Sequence, residues 1–188
     1  MTASAFNTLG IVLAGGASVR MGRDKAELPW RGGVSLLEHM QTLMRTVCDE
    51  VLVSGKADGI HDAQTHGGPV LALQSIVRDP RSQAFDGVLL CAVDTPLLQA
   101  DDLRLLLASL TSSRAAFFAE HFLPVALRRD GVLQNAVDAI ANDEQPSQRS
   151  LKRLVFVLQA QELPLAEPQR ERFTNLNTPE LYQRYLMP

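Results

Sequence analysis

Residues 9–25, Leu9-Gly10-Ile11-Val12-Leu13-Ala14-Gly15-Gly16-Ala17-Ser18-Val19-Arg20-Met21-Gly22-Arg23-Asp24-Lys25, join a short apolar run to a glycine-rich, basic segment. The run from Leu9 to Leu13 predicts a buried strand that stops at the turn Ala14-Gly15-Gly16. Glycines there let the backbone approach a ligand closely and turn its amides toward an anion. Arg20 adds a planar, multi-donor cation and Lys25 a mobile point charge, so phosphate is the natural ligand. Taken alone, the glycines favour a plain tight turn with Arg20 and Lys25 as solvated surface charges. The spacing is neither G-x-G-x-x-G nor G-x-x-x-x-G-K-[ST], which sets aside the usual dinucleotide and P-loop readings.

Working outward, Leu36-Leu37, Met40, Leu43-Met44 and Val47 recur at helical spacing, and Ser35 with Glu38 predicts a capping box at the start. Val51 to Val53 reads as a second strand closed by Ser54-Gly55, and Pro69 to Val77 as a helix entered through Gly67-Gly68. Gly87 to Val93 is apolar without alternation, the pattern of a strand covered on both faces, and it ends at Asp94-Thr95-Pro96. A helix follows over Leu98 to Leu110, with Asp101 and Asp102 at its start. Two more strands are expected at Ala115–Ala119 and Leu123–Leu127, then a helix over Gly131–Ala141 and a loop over Asn142–Arg149. Ser150–Val157 fits helix or strand, and Thr178-Pro179-Glu180 opens a last helix through Tyr185. Strands alternating with helices predict an α/β sandwich of three layers around a mostly parallel, Rossmann-like sheet. Such sheets bind ligands outside the carboxyl ends of their strands, near a switch in strand order.

The chain of 188 residues is 46% apolar and 21% charged, the balance of one globular domain over residues 1–188. No apolar run approaches the roughly 18 residues that span a bilayer, and Met1 to Asn7 has no export-signal pattern, so the cytoplasm is expected. Cys48 and Cys91 form no C-x-x-C pair and are read as reduced core residues. A net charge of −3 gives no general attraction for nucleic acid or anionic membrane, so any polyanion site is local. Ser18 lacks the partners of a nucleophile, and His39, His61, His66 and His121 lack metal-ligand spacing.

The segment Leu13 to Lys25 resembles the L-A-G-G-x-S-x-R-M-G-x-D-K pattern of molybdenum cofactor guanylyltransferases, within the nucleotidyltransferases of glycosyltransferase-A-like fold. Leu36-Leu37-Glu38-His39 is similar to the helix entrance of that class, Gly68-Pro69 to its G-P-L-A-G turn, and Val93-Asp94-Thr95-Pro96 to its C-D-T-P strand end. Phe173 to Glu180 resembles its F-x-N-x-N-T-P-E segment, so the blocks occur in family order along nearly the whole chain. The chain departs from the pattern at Ser54, where Asn is usual, at Val70-Leu71-Ala72, and at Leu123-Pro124, where many relatives have His-Pro.

The resemblance implies transfer of GMP from GTP to molybdenum-bearing molybdopterin with release of pyrophosphate. It implies Arg20, Lys25 and Asp94 as catalytic residues, Asp94 as ligand of Mg²⁺, and Leu13, Ala14, Gly15, Gly16, Lys25, Ser54, Asp62, Gly68, Pro69 and Asp94 around the nucleotide. Asn175 and Asn177 fall to the acceptor side or to the metal's surroundings, although an Asn before Thr178-Pro179 also suits a helix cap. By local sequence alone Asp94 is an ordinary turn residue and Asp62 a solvated loop acid. Gly15, without a methyl, leaves room for a purine, and Asp62 can accept from guanine N1 and N2. CTP with the same acceptor, another sugar- or cofactor-phosphate substrate, and a nucleotide-binding accessory protein without turnover are the competing readings. Transient contact with cofactor-biosynthesis or molybdoenzyme-maturation proteins is expected at the family level.

Overall fold

The computed structural model describes residues 6–15, 24–56, 59–60 and 68–186. Gly16, Arg20 and Asp62, three of the expected site residues, lie outside them. The first half alternates as expected: β1 (Thr8–Leu13), α1 (Leu36–Arg45), β2 (Glu50–Ser54), α2 (Pro69–Arg78), β3 (Gly87–Ala92) and α3 (Ala100–Ser109). Then follow β4 (Ala115–Phe118), β5 (His121–Arg128), α4 (Gly131–Ala141), α5 (Leu151–Val157), β6 (Gln161–Leu163), the single turn α6 (Glu167–Arg170) and α7 (Pro179–Leu186).

Helix starts follow local chemistry. Ser35 and Glu38 form the predicted capping box on α1, and at the start of α3 the Asp102 carboxylate accepts from the Gln99 amide at 3.0 Å. Ser150 accepts from the Arg153 amide, which settles the ambiguous 150–157 segment as helix. At α2 the cap is Gly68, with φ of 82° and no side-chain hydrogen bond. A Cβ at Gly68 would meet nothing within 4 Å, so this glycine is needed for its left-handed backbone and not for space.

The six strands form one sheet in the order β2-β1-β3-β5-β4-β6. β1 pairs in parallel with β2 and β3, β4 in parallel with β6, and β5 runs antiparallel between β3 and β4. All strands but β5 therefore point one way. Side chains alternate between two apolar clusters: Leu9, Ile11, Val88 and Leu90 pack toward α2, α4 and α5. Val12, Leu89 and Cys91 pack on the other face with α1, α3 and the C-terminal residues Phe173, Leu176 and Tyr182. The expected three-layer α/β sandwich with a mostly parallel sheet is the fold observed. Cys48 and Cys91 are free and buried; burial pushes the Cys48 thiol up to about 12 and raises Cys91 well above its ordinary value, so both stay protonated.

Candidate functional site

β1 lies at the centre of the parallel half, with Leu13 opposite Ser54 of β2 on one side and Ala92 of β3 on the other. The pairing continues just past the strands: the Ala14 amide donates to the Ser54 carbonyl at 2.9 Å, and the Val93 amide to the Leu13 carbonyl at 3.1 Å. Three loops thus leave the carboxyl edge side by side, at the place where the chain has turned from β2 on one flank to β3 on the other. Ser54 is 1% exposed and sits beneath the loops, its carbonyl holding Ala14. Leu13 is half-buried against the core, while Gly15 is exposed.

Gly55 was not singled out by sequence and turns out to set the height of this edge. Its φ is 88°, and a Cβ there would stand 2.5 Å from both the Cα and N of Gly15. No side chain fits between the two loops. Lys56, next along, forms an ion pair with Asp24 and lies 3.7 Å from Glu27. The signal that could have found both residues was their place at the end of the second strand, beside Ser54.

Asp24 accepts from the Ala26 amide at 3.0 Å and so opens a short 3-10 turn over Lys25–Glu27. That turn aims Lys25 inward: its Nζ donates to Asp94 Oδ2 at 3.1 Å and to Asn177 Oδ1. Asp94 follows β3 in a turn fixed by Thr95, whose buried hydroxyl donates to the Ala92 carbonyl at 3.0 Å. The ring Nε2 of His39, on α1, is 2.8 Å from the Pro96 carbonyl and braces the same turn. The Leu176 amide donates to the Asp94 carbonyl at 2.8 Å, so the C-terminal segment is fastened directly to the β3 end.

The fold thereby brings Lys25, Asp94 and Asn177 into contact from three distant parts of the chain. Asn177 uses its side chain on Lys25, whereas the Thr178 hydroxyl accepts from the Leu181 amide at 3.3 Å and caps α7. Asn175 is exposed, and its carbonyl accepts from the Asn177 amide at 2.9 Å. Pro69 occupies the first turn of α2, on the connection that leaves the same sheet edge.

The side chains of Asp94 and Lys25 are each 18% exposed, enough for a ligand to reach both. No group of three or more His, Cys, Asp or Glu that could cage a metal occurs among the described residues. One carboxylate at a strand end suits a hard divalent cation that takes its remaining oxygens from substrate phosphates and water. The donor set fits such an ion; a soft or fully protein-bound metal is not what it offers.

The family model for the MobA-like NTP transferase domain matches residues 10–157. A molybdenum cofactor guanylyltransferase of Xanthomonas euvesicatoria pv. vesicatoria is 39% identical over 183 residues, covering 94% of this chain and 93% of that protein. Among solved structures, the molybdopterin-guanine dinucleotide biosynthesis protein A of Archaeoglobus fulgidus superposes with a TM-score of 0.73 at 16% identity, covering 95% and 96% of the two chains. Rv0371c of Mycobacterium tuberculosis in complex with manganese gives a TM-score of 0.62 at 19% identity, covering 96% and 98%.

Proposed function

The chain belongs to the MobA-like NTP transferase family, and from that premise we propose that it transfers GMP from GTP to the terminal phosphate of molybdenum-bearing molybdopterin. The observation that carries this reading is the meeting of Lys25, on the 3-10 turn Lys25–Glu27, with Asp94, just past the end of β3, at 3.1 Å. A phosphate oxygen of the acceptor attacks the α-phosphorus of GTP. The new P–O bond forms as the α–β bridging bond breaks, and the electron pair leaves on pyrophosphate. The acceptor phosphate is already ionised near neutral pH, so no general base is required. Catalysis consists mainly of positioning the two substrates in line.

Within that scheme the Gly15 and Gly16 backbone cradles phosphate, and Arg20 and Lys25 neutralise the charge that builds on the leaving pyrophosphate. Leu13, Ala14, Ser54, Gly68 and Pro69 shape the nucleotide side, through backbone where the side chain is buried, as at Ser54. Asp94 holds Mg²⁺, which when bound supplies a Lewis acid for the phosphate oxygens. Gly15 and Asp62 favour guanine, by room and by carboxylate acceptance respectively. Asn175, exposed beside the β3 end, faces the acceptor. Residues 1–188 act as a single domain, which the continuous sheet from β2 to β6 supports, and the compartment assigned is the cytoplasm.

The test is pyrophosphate release from GTP, CTP, ATP and UTP with purified molybdenum-molybdopterin and Mg²⁺. GTP is expected to exceed CTP by about 100-fold or more in kcat/KM, because donors and acceptors set for one base edge are left unpaired by the other. Equal use of the two, or preference for CTP, overturns the guanine assignment.

A further inference from the structure

Lys25 stands where a cation for Asp94 would stand. Its ammonium is 3.1 Å from Asp94 Oδ2, on a side chain only 18% exposed, and Asn177 Oδ1 accepts from the same nitrogen. Asn177 is neutral, so it holds the ammonium without adding a second negative charge for a metal to seek. The segment carrying Asn177 is fixed to this spot by the Leu176 amide on the Asp94 carbonyl, 2.8 Å away. Among the described residues Lys25 is the one cation in a salt bridge with Asp94.

We propose that Lys25 is an exchangeable internal counter-ion of Asp94, with Asn177 as its positioning residue, so that divalent metal gains Asp94 only as nucleotide phosphates draw the ammonium away. The inference rests on the reading that Asp94 holds the metal. Two cations on one partly buried carboxylate repel each other, and burial of most of both side chains weakens the screening by solvent. Lysine is suited to the exchange because its charge rides on a flexible four-carbon stem that can swing without moving the backbone. A triphosphate offers the ammonium several anionic oxygens at once, and the vacated carboxylate then accepts the metal that arrives on those phosphates. Metal and nucleotide therefore strengthen each other's binding by one shared factor. The free protein binds metal weakly and is protected from idle occupation of its site.

Manganese titration, with free Mn²⁺ followed by electron paramagnetic resonance, tests this on the full chain with and without a non-hydrolysable α,β-methylene GTP analogue. In the unaltered protein the analogue is expected to tighten Mn²⁺ binding by about tenfold or more. Lys25→Met and Lys25→Gln are both expected to bind Mn²⁺ about tenfold tighter than the unaltered protein without nucleotide, and to gain less from the analogue. Lys25→Arg, which keeps the charge, stays weak. Circular dichroism melts verify that each variant is folded, and two neutral replacements guard against the failure of one. Neutral variants that bind Mn²⁺ no tighter than the unaltered protein, while Asp94→Asn weakens binding, overturn the counter-ion proposal and leave the metal assignment standing. Asp94→Asn without effect on Mn²⁺, whether introduced alone or together with Lys25→Met, overturns the metal assignment and the proposal with it.

Discussion

Asp94 and Asp102 lie on either side of the turn that joins β3 to α3, and each is paired with a cation from far along the chain. Their surroundings differ. Asp102 is 2% exposed, and both of its oxygens are taken within the protein, one by Arg172 at 3.1 Å and the other by the Gln99 amide at 3.0 Å. Asp94 and its partner Lys25 are each 18% exposed, and the lysine reaches Asp94 through Oδ2 alone. Both pairs tie a remote segment to the same strand-helix unit. A carboxylate whose two oxygens are both satisfied in a closed setting holds the fold, whereas one with spare acceptor capacity at a strand end can trade its partner.

The strongest way to break this contrast is Asp94→Asn. The amide keeps the shape and can still accept from Lys25, but it is a poor ligand for a hard cation. Pyrophosphate release is expected to fall by about 10³-fold or more, as when a charge-stabilising group is removed from a phosphoryl-transfer site. The melting temperature should move by no more than about 2 °C, the size of a small surface change. A variant keeping a tenth of the rate would place the reaction's charge stabilisation elsewhere.

Asp102→Ala should do the opposite. It strips Arg172 of its partner and removes the capping interaction on α3, leaving a half-buried guanidinium unpaired. Loss of one partner from a fully buried pair costs about 3–5 kcal/mol; Arg172 keeps 30% of its exposure, so about 2 kcal/mol is expected here. That corresponds to a fall of about 4 to 8 °C in the melting temperature. At 25 °C, where the variant is still folded, kcat should stay within about twofold. Loss of turnover without loss of stability would make Asp102 part of the site.

Gly55→Ala sharpens the comparison from the nucleotide side. The added methyl would stand 2.5 Å from the Gly15 backbone, so one of the two loops must move. The expected result is about a tenfold rise in KM for GTP, with kcat less affected, because ground-state binding is disturbed before chemistry is. An unchanged KM would make the Gly55–Gly15 contact a matter of packing only.

The parallel half of the molecule was legible in the sequence, since β1 and β3, buried along nearly their whole length, leave continuous apolar runs, and the loops after the three strands reach glycine or aspartate within two residues. The second half was less so. β6, Gln161–Leu163, has two exposed residues and one buried, too little pattern to mark a strand, and it forms only by pairing beside β4. The site was legible as a set of residue types: Lys25, Asp94 and Asn177 were all singled out and the fold brings them together. Their mutual contacts were not, because hydrogen bonds across 69 and 152 positions leave no local trace. For the same reason Asn177 was assigned to the acceptor side, to the metal's surroundings or to a helix cap, and its bond to Lys25 went unseen. Gly55 was read only as the close of the second strand, because its wider importance depends on Gly15, a residue of another strand's loop.

The smallest expected effect concerns a third attachment of the C-terminal segment, the contact between His121 at the start of β5 and Phe173, whose ring centroids are 5.1 Å apart. Burial holds the His121 pKa below its ordinary value of 6.5; Glu120 pulls it back up and Arg170 pushes it down. The unfolded chain therefore takes up the imidazole proton at a higher pH than the folded one. As pH falls through 6.5 the unfolded state gains a proton that the folded state refuses, so stability declines until the folded pKa is passed. Well above 6.5 the imidazole is neutral in both states and contributes no pH dependence. His121→Phe keeps a ring against Phe173 and removes the titration. Melting temperatures measured from pH 8 to pH 5 should run parallel for the two proteins above neutrality. Below it the unaltered chain should lose more. Parallel profiles throughout would mean that His121 meets the same solvent folded as unfolded. The C-terminal segment would then be held near Asp94 by the Leu176 amide and Asn177, and near α3 by Arg172, with no share from the histidine.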